Sequence, residues 1–246
     1  VCTTMPPAKS TTAGISALVF ALMLGRRSHF PKDMRPPHSP GFVMLGAAML
    51  WVGWFGFNAG SALGANSDAA RAMLVTHVSA ATASLVWMLI EWISFRKPTL
   101  VGIATGMVAG LATITPAAGS VGPVGAILIG VLAAIICYAA VGLIRQRLKI
   151  DDSLDVFAVH GVGGMLGSLM IPFLASAGPL APGIGLPIGE QFGVQLLGVV
   201  TVAIFSALVT AVLLFGIKLF IPLRVSAEDE ETGLDSATHG ESAYHM

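Results

Sequence analysis

The chain has 246 residues, of which 55% are hydrophobic and only 11% charged, and its formal net charge is zero. A soluble domain carries about 25% charged residues, so a mean hydropathy of +0.83 excludes an ordinary water-soluble enzyme. Zero net charge gives no reason to expect nucleic acid or an acidic partner, and two cysteines, Cys2 and Cys137, make no disulfide framework.

Taken in chain order, residues 1–10 read as an atypical polar head, 11–221 as a transmembrane domain and 222–246 as a polar tail. With glycine, proline and charge as punctuation, helices are predicted near 11–25, 41–65, 72–95, 99–117, 121–144, 156–176 and 191–221. A spanning helix needs about 20 apolar residues, so the first run is short and reads as the latter half of a span whose beginning lies upstream. The last, at a rise of about 1.5 Å per residue, exceeds the hydrocarbon thickness and is expected to tilt or project. Basic residues fall in alternate connectors: Arg26, Arg27, Lys32 and Arg35, then Arg96 and Lys97, then Arg145, Arg147 and Lys149, with only Arg71 between them. The positive-inside bias therefore predicts a multi-pass protein of the cell membrane, plasma or inner, with its C-terminus in the cytoplasm.

Small residues recur every four positions at Gly56, Gly60 and Gly64, at Gly106 and Gly110, at Gly163 and Gly167, and at Gly164 and Ser168. Such faces predict close helix crossings in lipid. On the helix at 41–65, the spacing places Leu50, Trp54, Phe57 and Ser61 on one stripe, opposite the glycine stripe. That stripe reads either as a lipid-facing or core wall or as one side of a narrow apolar pore with a hydroxyl at its mouth.

His160 lies inside the predicted membrane helix at 156–176, where an ionisable side chain marks a functional-site hypothesis. The alternative is an imidazole satisfied by a helix carbonyl. Asp151, Asp152 and Asp155 precede or open that helix and are expected to cap its free N–H groups, a structural role. His77 is expected near the water-facing start of its helix, and Glu91 with Trp92 as an interfacial anchor. No spacing suggests a metal site, a phosphate loop, a nucleophile motif or a cofactor. In the tail, acidic Glu228–Glu231 reads in the usual way as a disordered segment, while the short anchors that follow around Leu234, Thr238 and Tyr244 suggest instead that it docks.

Four motifs, Gly53-Trp-Phe-Gly-Phe-Asn-Ala-Gly-Ser-Ala62, Thr115-Pro-Ala-Ala-Gly119, Asp151-Asp-Ser-Leu-Asp-Val-Phe-Ala-Val-His-Gly161 and Gly233-Leu-Asp-Ser-Ala-Thr-His-Gly-Glu-Ser-Ala-Tyr244, stand in this order. Together they closely resemble the ammonium transporter (Amt/Mep/Rh) family, from about Ser10 to the C-terminus. The resemblance implies an all-α polytopic bundle, N-terminally truncated against the family's eleven helices, and a homotrimer with one pore per subunit. It implies that ammonium is recruited at an aromatic mouth and crosses as ammonia. His160 matches the second of two pore histidines, Trp54 and Phe57 match pore-lining aromatics, and Ser61 matches the recruitment hydroxyl. Ser10 stands where the family's first pore histidine is expected, and the first four helices have no counterpart. The resemblance further implies a PII-type regulatory protein as a partner at the cytoplasmic face. It leaves open a non-conducting fragment or an ammonium-sensing paralogue.

Overall fold

A computed structural model describes residues 8–32 and 37–242. Cys2, Arg35 and Tyr244, like the head before Ala8, lie outside the described residues. The helices are α1 (Ala8–Leu24), α2 (Pro40–Ala59), α3 (Ser67–Phe95), α4 (Leu100–Ile114), α5 (Pro123–Gly142), α6 (Gly163–Leu174), α7 (Ile188–Lys218) and α8 (Ala227–Thr232). Short 3-10 turns extend α2 and α4, and π-helical turns follow α5 at Leu143–Arg147 and precede α6 at Phe157–Val162. Counting these extensions, six helices are long and apolar enough to cross a membrane, and α1 is a shorter apolar helix. The bundle is a multi-pass membrane protein.

Local chemistry sets the ends of these helices. Ser39, Asn66 and Thr99 sit in extended conformation and accept hydrogen bonds from Phe42, Ala69 and Gly102, satisfying N–H groups that a helix start leaves free. At the other ends Gly25, with φ of 78°, turns the chain after α1, and Leu63 and Arg96 adopt the left-handed conformation after α2 and α3. Glu91 does not anchor an interface as expected. It is buried, and its carboxylate accepts hydrogen bonds from the Thr99 N–H at 2.7 Å and the Thr99 hydroxyl at 2.9 Å, reinforcing the start of α4. Trp92 beside it is 53% exposed.

Packing has the polarity that lipid requires. Helix α7 buries Gln195, Ser206 and Thr210 while Leu197, Phe205 and Val212 lie outside, and Thr210 donates to the Ser16 hydroxyl at 2.9 Å to tie α7 to α1. The core is built from small residues; alanines at 80, 83, 109, 112, 133 and 134 are fully buried. Because lipid tails are as apolar as leucine, association depends on such close backbone approach. Helix α3 lies against α4 and α5, with α2 against α3 and α4, and α1 against α7 and the π turn before α6.

Three of the predicted small-residue faces are used, and one is not. A Cβ on Gly106 would fall 2.5 Å from the Trp87 Cβ, one on Gly110 2.6 Å from the Ser79 carbonyl oxygen, and one on Gly163 2.6 Å from the Thr113 hydroxyl. Gly167 lies tighter still against the Thr113 carbonyl, and a Cβ on Gly164 would fall 2.7 Å from the Ser10 Cβ. By contrast, Gly56 and Gly60 face nothing within 4 Å, and Gly64 meets only the Asn66 side chain at 3.6 Å. That face of α2 has no neighbouring helix among the described residues, so its spacing marks no crossing within this chain. A contact absent from the expected faces joins Gly14 of α1 to the backbone of Gly161.

Candidate functional site

Two elements meet to form the site. Helix α2 presents Trp54 and Phe57 three residues apart, and the π turn Phe157–Val162 carries His160. A π turn widens the helix by one residue per turn and often marks a functional position. The Trp54 indole N–H donates to the Thr115 hydroxyl at 2.8 Å, which in turn donates to the Leu111 carbonyl at 2.7 Å. Pinned in this way, the indole centroid lies 5.3 Å from the Phe57 ring and 6.2 Å from the His160 imidazole, at 30° between planes for the latter. The Ser61 hydroxyl donates to the Phe57 carbonyl at 2.8 Å, a turn beyond the ring. Phe57, Trp54 and His160 are therefore contiguous, with a hydroxyl at one end.

The remaining site residues stand at the edge of this series. Leu50, a turn before Trp54, is 51% exposed. Ser10 is buried, and its hydroxyl donates to the Ala112 carbonyl at 3.1 Å rather than to His160. Neighbouring Thr11 is fully buried, its hydroxyl without a hydrogen-bond partner among the described residues. At the Ser61 end of the series, the Lys9 ammonium lies 4.2 Å from the Phe57 centroid and 3.3 Å from the Ser61 hydroxyl. Helix α3 begins at Ser67 rather than near 72, which places His77 about 15 Å along it. Its exposed ring lies 5.1 Å from Trp51. Among the described residues, no group of three histidines, cysteines or carboxylates could hold a metal ion.

Of the three aspartates expected to cap the helix, one does so and two form ion pairs. Asp152 alone caps the helix start, accepting from Val156 at 2.9 Å, Phe157 at 2.7 Å and Ala158 at 3.4 Å. Asp151 instead takes a two-pronged ion pair from Arg27, at 2.6 and 2.9 Å, and also accepts the Arg27 backbone N–H at 2.8 Å. Burial pushes the Asp151 carboxyl up, but the hydrogen bonds and charge of Arg27 outweigh it and hold it below the usual range. Asp155 pairs with Arg145 at 2.6 Å. Burial first, and the nearby charge of Asp152, push its carboxyl up to about 6 against the pull of Arg145.

The sign of the Asp155 shift fixes a pH dependence. A carboxyl raised in the folded state binds more protons there than in the unfolded chain, so its stabilising share is complete below about pH 4 and is lost as pH rises through about 6. Thermal unfolding in detergent, compared between the chain and Asp155→Asn, is expected to show the wild type losing on the order of 2 kcal/mol relative to the variant between pH 4 and 7. Parallel curves would contradict the assignment.

At the same end of the bundle, a cavity of about 460 Å³ lies among α1, the Asp151–Val156 segment and the start of the tail. Glu230 of α8 accepts from the Ser28 N–H at 2.9 Å and pairs with Arg224 at 2.6 Å, so the described part of the tail docks against the bundle. Those donors hold the Glu230 carboxyl below its ordinary range, the Arg224 hydrogen bond foremost.

The bundle is that of a multi-pass membrane protein, and it carries a contiguous aromatic and imidazole series. The profile of the Ammonium Transporter Family matches residues 10–244, and the chain belongs to that family. It is 47% identical to an ammonium transporter of Aquifex aeolicus, over 95% of this chain and 55% of that protein. It is 44% identical to the ammonium transporter Amt1 of Archaeoglobus fulgidus, over 95% of this chain and 59% of that protein. Among solved structures it is similar to Mep2 of Saccharomyces cerevisiae, with a TM-score of 0.79 and 37% identity over 91% of this chain and 55% of that one. It is also similar to a sensor Amt protein, with a TM-score of 0.82 and 32% identity over 93% of this chain and 57% of that one. The chain thus spans a little over half the length of these relatives.

Local reading missed Thr115 as the anchor of Trp54, although it opens one of the four motifs. It also missed Lys9, because the first helix begins at Ala8 rather than 11.

Proposed function

We propose that the protein to which this chain belongs conducts ammonium across a membrane, drawing the cation to an aromatic mouth and passing ammonia along an apolar path. The carrying observation is the unbroken series Ser61, Phe57, Trp54 and His160, with the ring distances given above. An aromatic face and a hydroxyl attract a small cation. A charged species is expensive deep in a bilayer, so movement as neutral ammonia past Phe57 and Trp54 avoids that cost, and the His160 imidazole offers a group that takes up or gives back the proton. Leu50 extends the same wall. Residues 11–221 act as the membrane domain and 222–246 as a cytoplasmic tail in a cell-membrane homotrimer, with a PII-type regulator acting at the cytoplasmic face; the docking of Glu230 supports a tail held against the bundle.

A second reading, in which the chain senses ammonium without conducting it, is favoured by one residue: Ser10, committed to Ala112, offers no proton-exchanging group at the place of a first imidazole. Uptake of labelled methylammonium into cells lacking their own transporters separates the two. Conduction predicts saturable uptake that ammonium chloride suppresses. Protein at the membrane with uptake no higher than empty cells would refute conduction.

A further inference from the structure

We infer that Lys9 is a tethered competitor for the cation site at Phe57 and Ser61, so that free ammonium must displace a cation the chain itself supplies. The side chain of Lys9 ends in an –NH3⁺ group, chemically an alkylated ammonium ion, and it sits where an ammonium ion would sit: 4.2 Å from the Phe57 ring centroid and 3.3 Å from the Ser61 hydroxyl oxygen. Both contacts are those that a free ammonium would use there, a π face for the charge and an oxygen lone pair for one N–H. The Ser61 hydroxyl already directs its own proton to the Phe57 carbonyl at 2.8 Å, which leaves its lone pairs for a donor. The site and its occupant come from different helices, with Lys9 in the first turn of α1 and Phe57 and Ser61 at the far end of α2. Lys9 is exposed, so nothing buries its stem, and it leaves the ring by side-chain rotation without moving either helix.

This inference rests on the cation-site reading given above, and the test separates the two. A ring contact at an exposed position holds a cation with modest strength, and the apparent affinity of a site falls by the fraction of time it is open. Calorimetric titration of the reconstituted chain with ammonium chloride, against sodium chloride at equal ionic strength, is expected to show about three- to sixfold tighter binding in both Lys9→Gln and Lys9→Met. In parallel, acetylation of the Lys9 amine, followed by peptide mass spectrometry and normalised to exposed Lys97, is expected to run severalfold faster in Phe57→Leu than in the wild type. If the wild type binds ammonium and both neutral variants bind it equally well, Lys9 is no competitor and the cation site stands. If no chain binds ammonium while Phe57 still slows acetylation, the contact is real but the cation site fails and competition with it. An acetylation rate indifferent to Phe57→Leu removes the contact and overturns the proposal.

Discussion

Gly167→Ala is expected to cost much of the folded protein. The added Cβ would fall inside the contact radius of the Thr113 carbonyl oxygen, and neither partner can yield cheaply. The obstacle is backbone, not the end of a flexible side chain, and α4 is the most enclosed of the spanning helices, with every residue from Gly110 to Ile114 buried. Relief requires α6 to move away from α4. That separation would also loosen Gly163 from Thr113 and strain the π turn that holds His160. Overpacking typically costs about 1–3 kcal/mol and sometimes more. The expected readout is a large drop in thermal unfolding temperature in detergent and loss of the monodisperse species. Gly56→Ala is the matched control, since its Cβ meets nothing within 4 Å, and a change within about 0.5 kcal/mol is expected. Equal losses in the two variants would mean that the α4–α6 crossing is not as close as described.

His160→Ala is expected to lower methylammonium uptake at least tenfold at matched protein levels, as about 1.4 kcal/mol or more of lost barrier stabilisation would do. The imidazole is the one group in the series Phe57, Trp54 and His160 that exchanges protons near neutral pH. Its removal leaves the mouth intact, because Ser61 and Phe57 are held through α2 itself. Ammonium binding at the mouth should therefore persist while flux falls, and this split distinguishes a proton-handling role from a packing role. Uptake that survives the substitution undiminished would take His160 out of the path.

The contrast between these two sites is instructive. His160 stood out because an ionisable residue within an apolar helix is costly, a signal contained in about 20 consecutive residues. Gly167 and Gly56 belong to indistinguishable four-residue patterns, yet one lies against backbone and the other faces open space. Spacing along a helix states which residues share a face, and nothing about what that face meets.

Carboxylates teach the same lesson. That Asp151, Asp152 and Asp155 serve structure near a helix start was legible, because free N–H groups and the positive helix end favour acids there. Their separate tasks were not, since the partner of Asp151 is Arg27, 124 positions away. Glu91 was misplaced for the opposite reason: its partner Thr99 is only 8 positions away, across a turn whose geometry depends on the left-handed Arg96.

Hydropathy and the alternation of basic connectors were enough to establish an all-helical multi-pass protein and nearly all of its helices, because hydrocarbon imposes a length and a polarity that any spanning segment must display. Four ordered motifs were enough for the family. The folded chain alone decided which small-residue faces become crossings and that Lys9 reaches the ring of Phe57. Each of these depends on the separation of two helices in space, a quantity set by the summed fit of many small side chains and carried by no local run of residues.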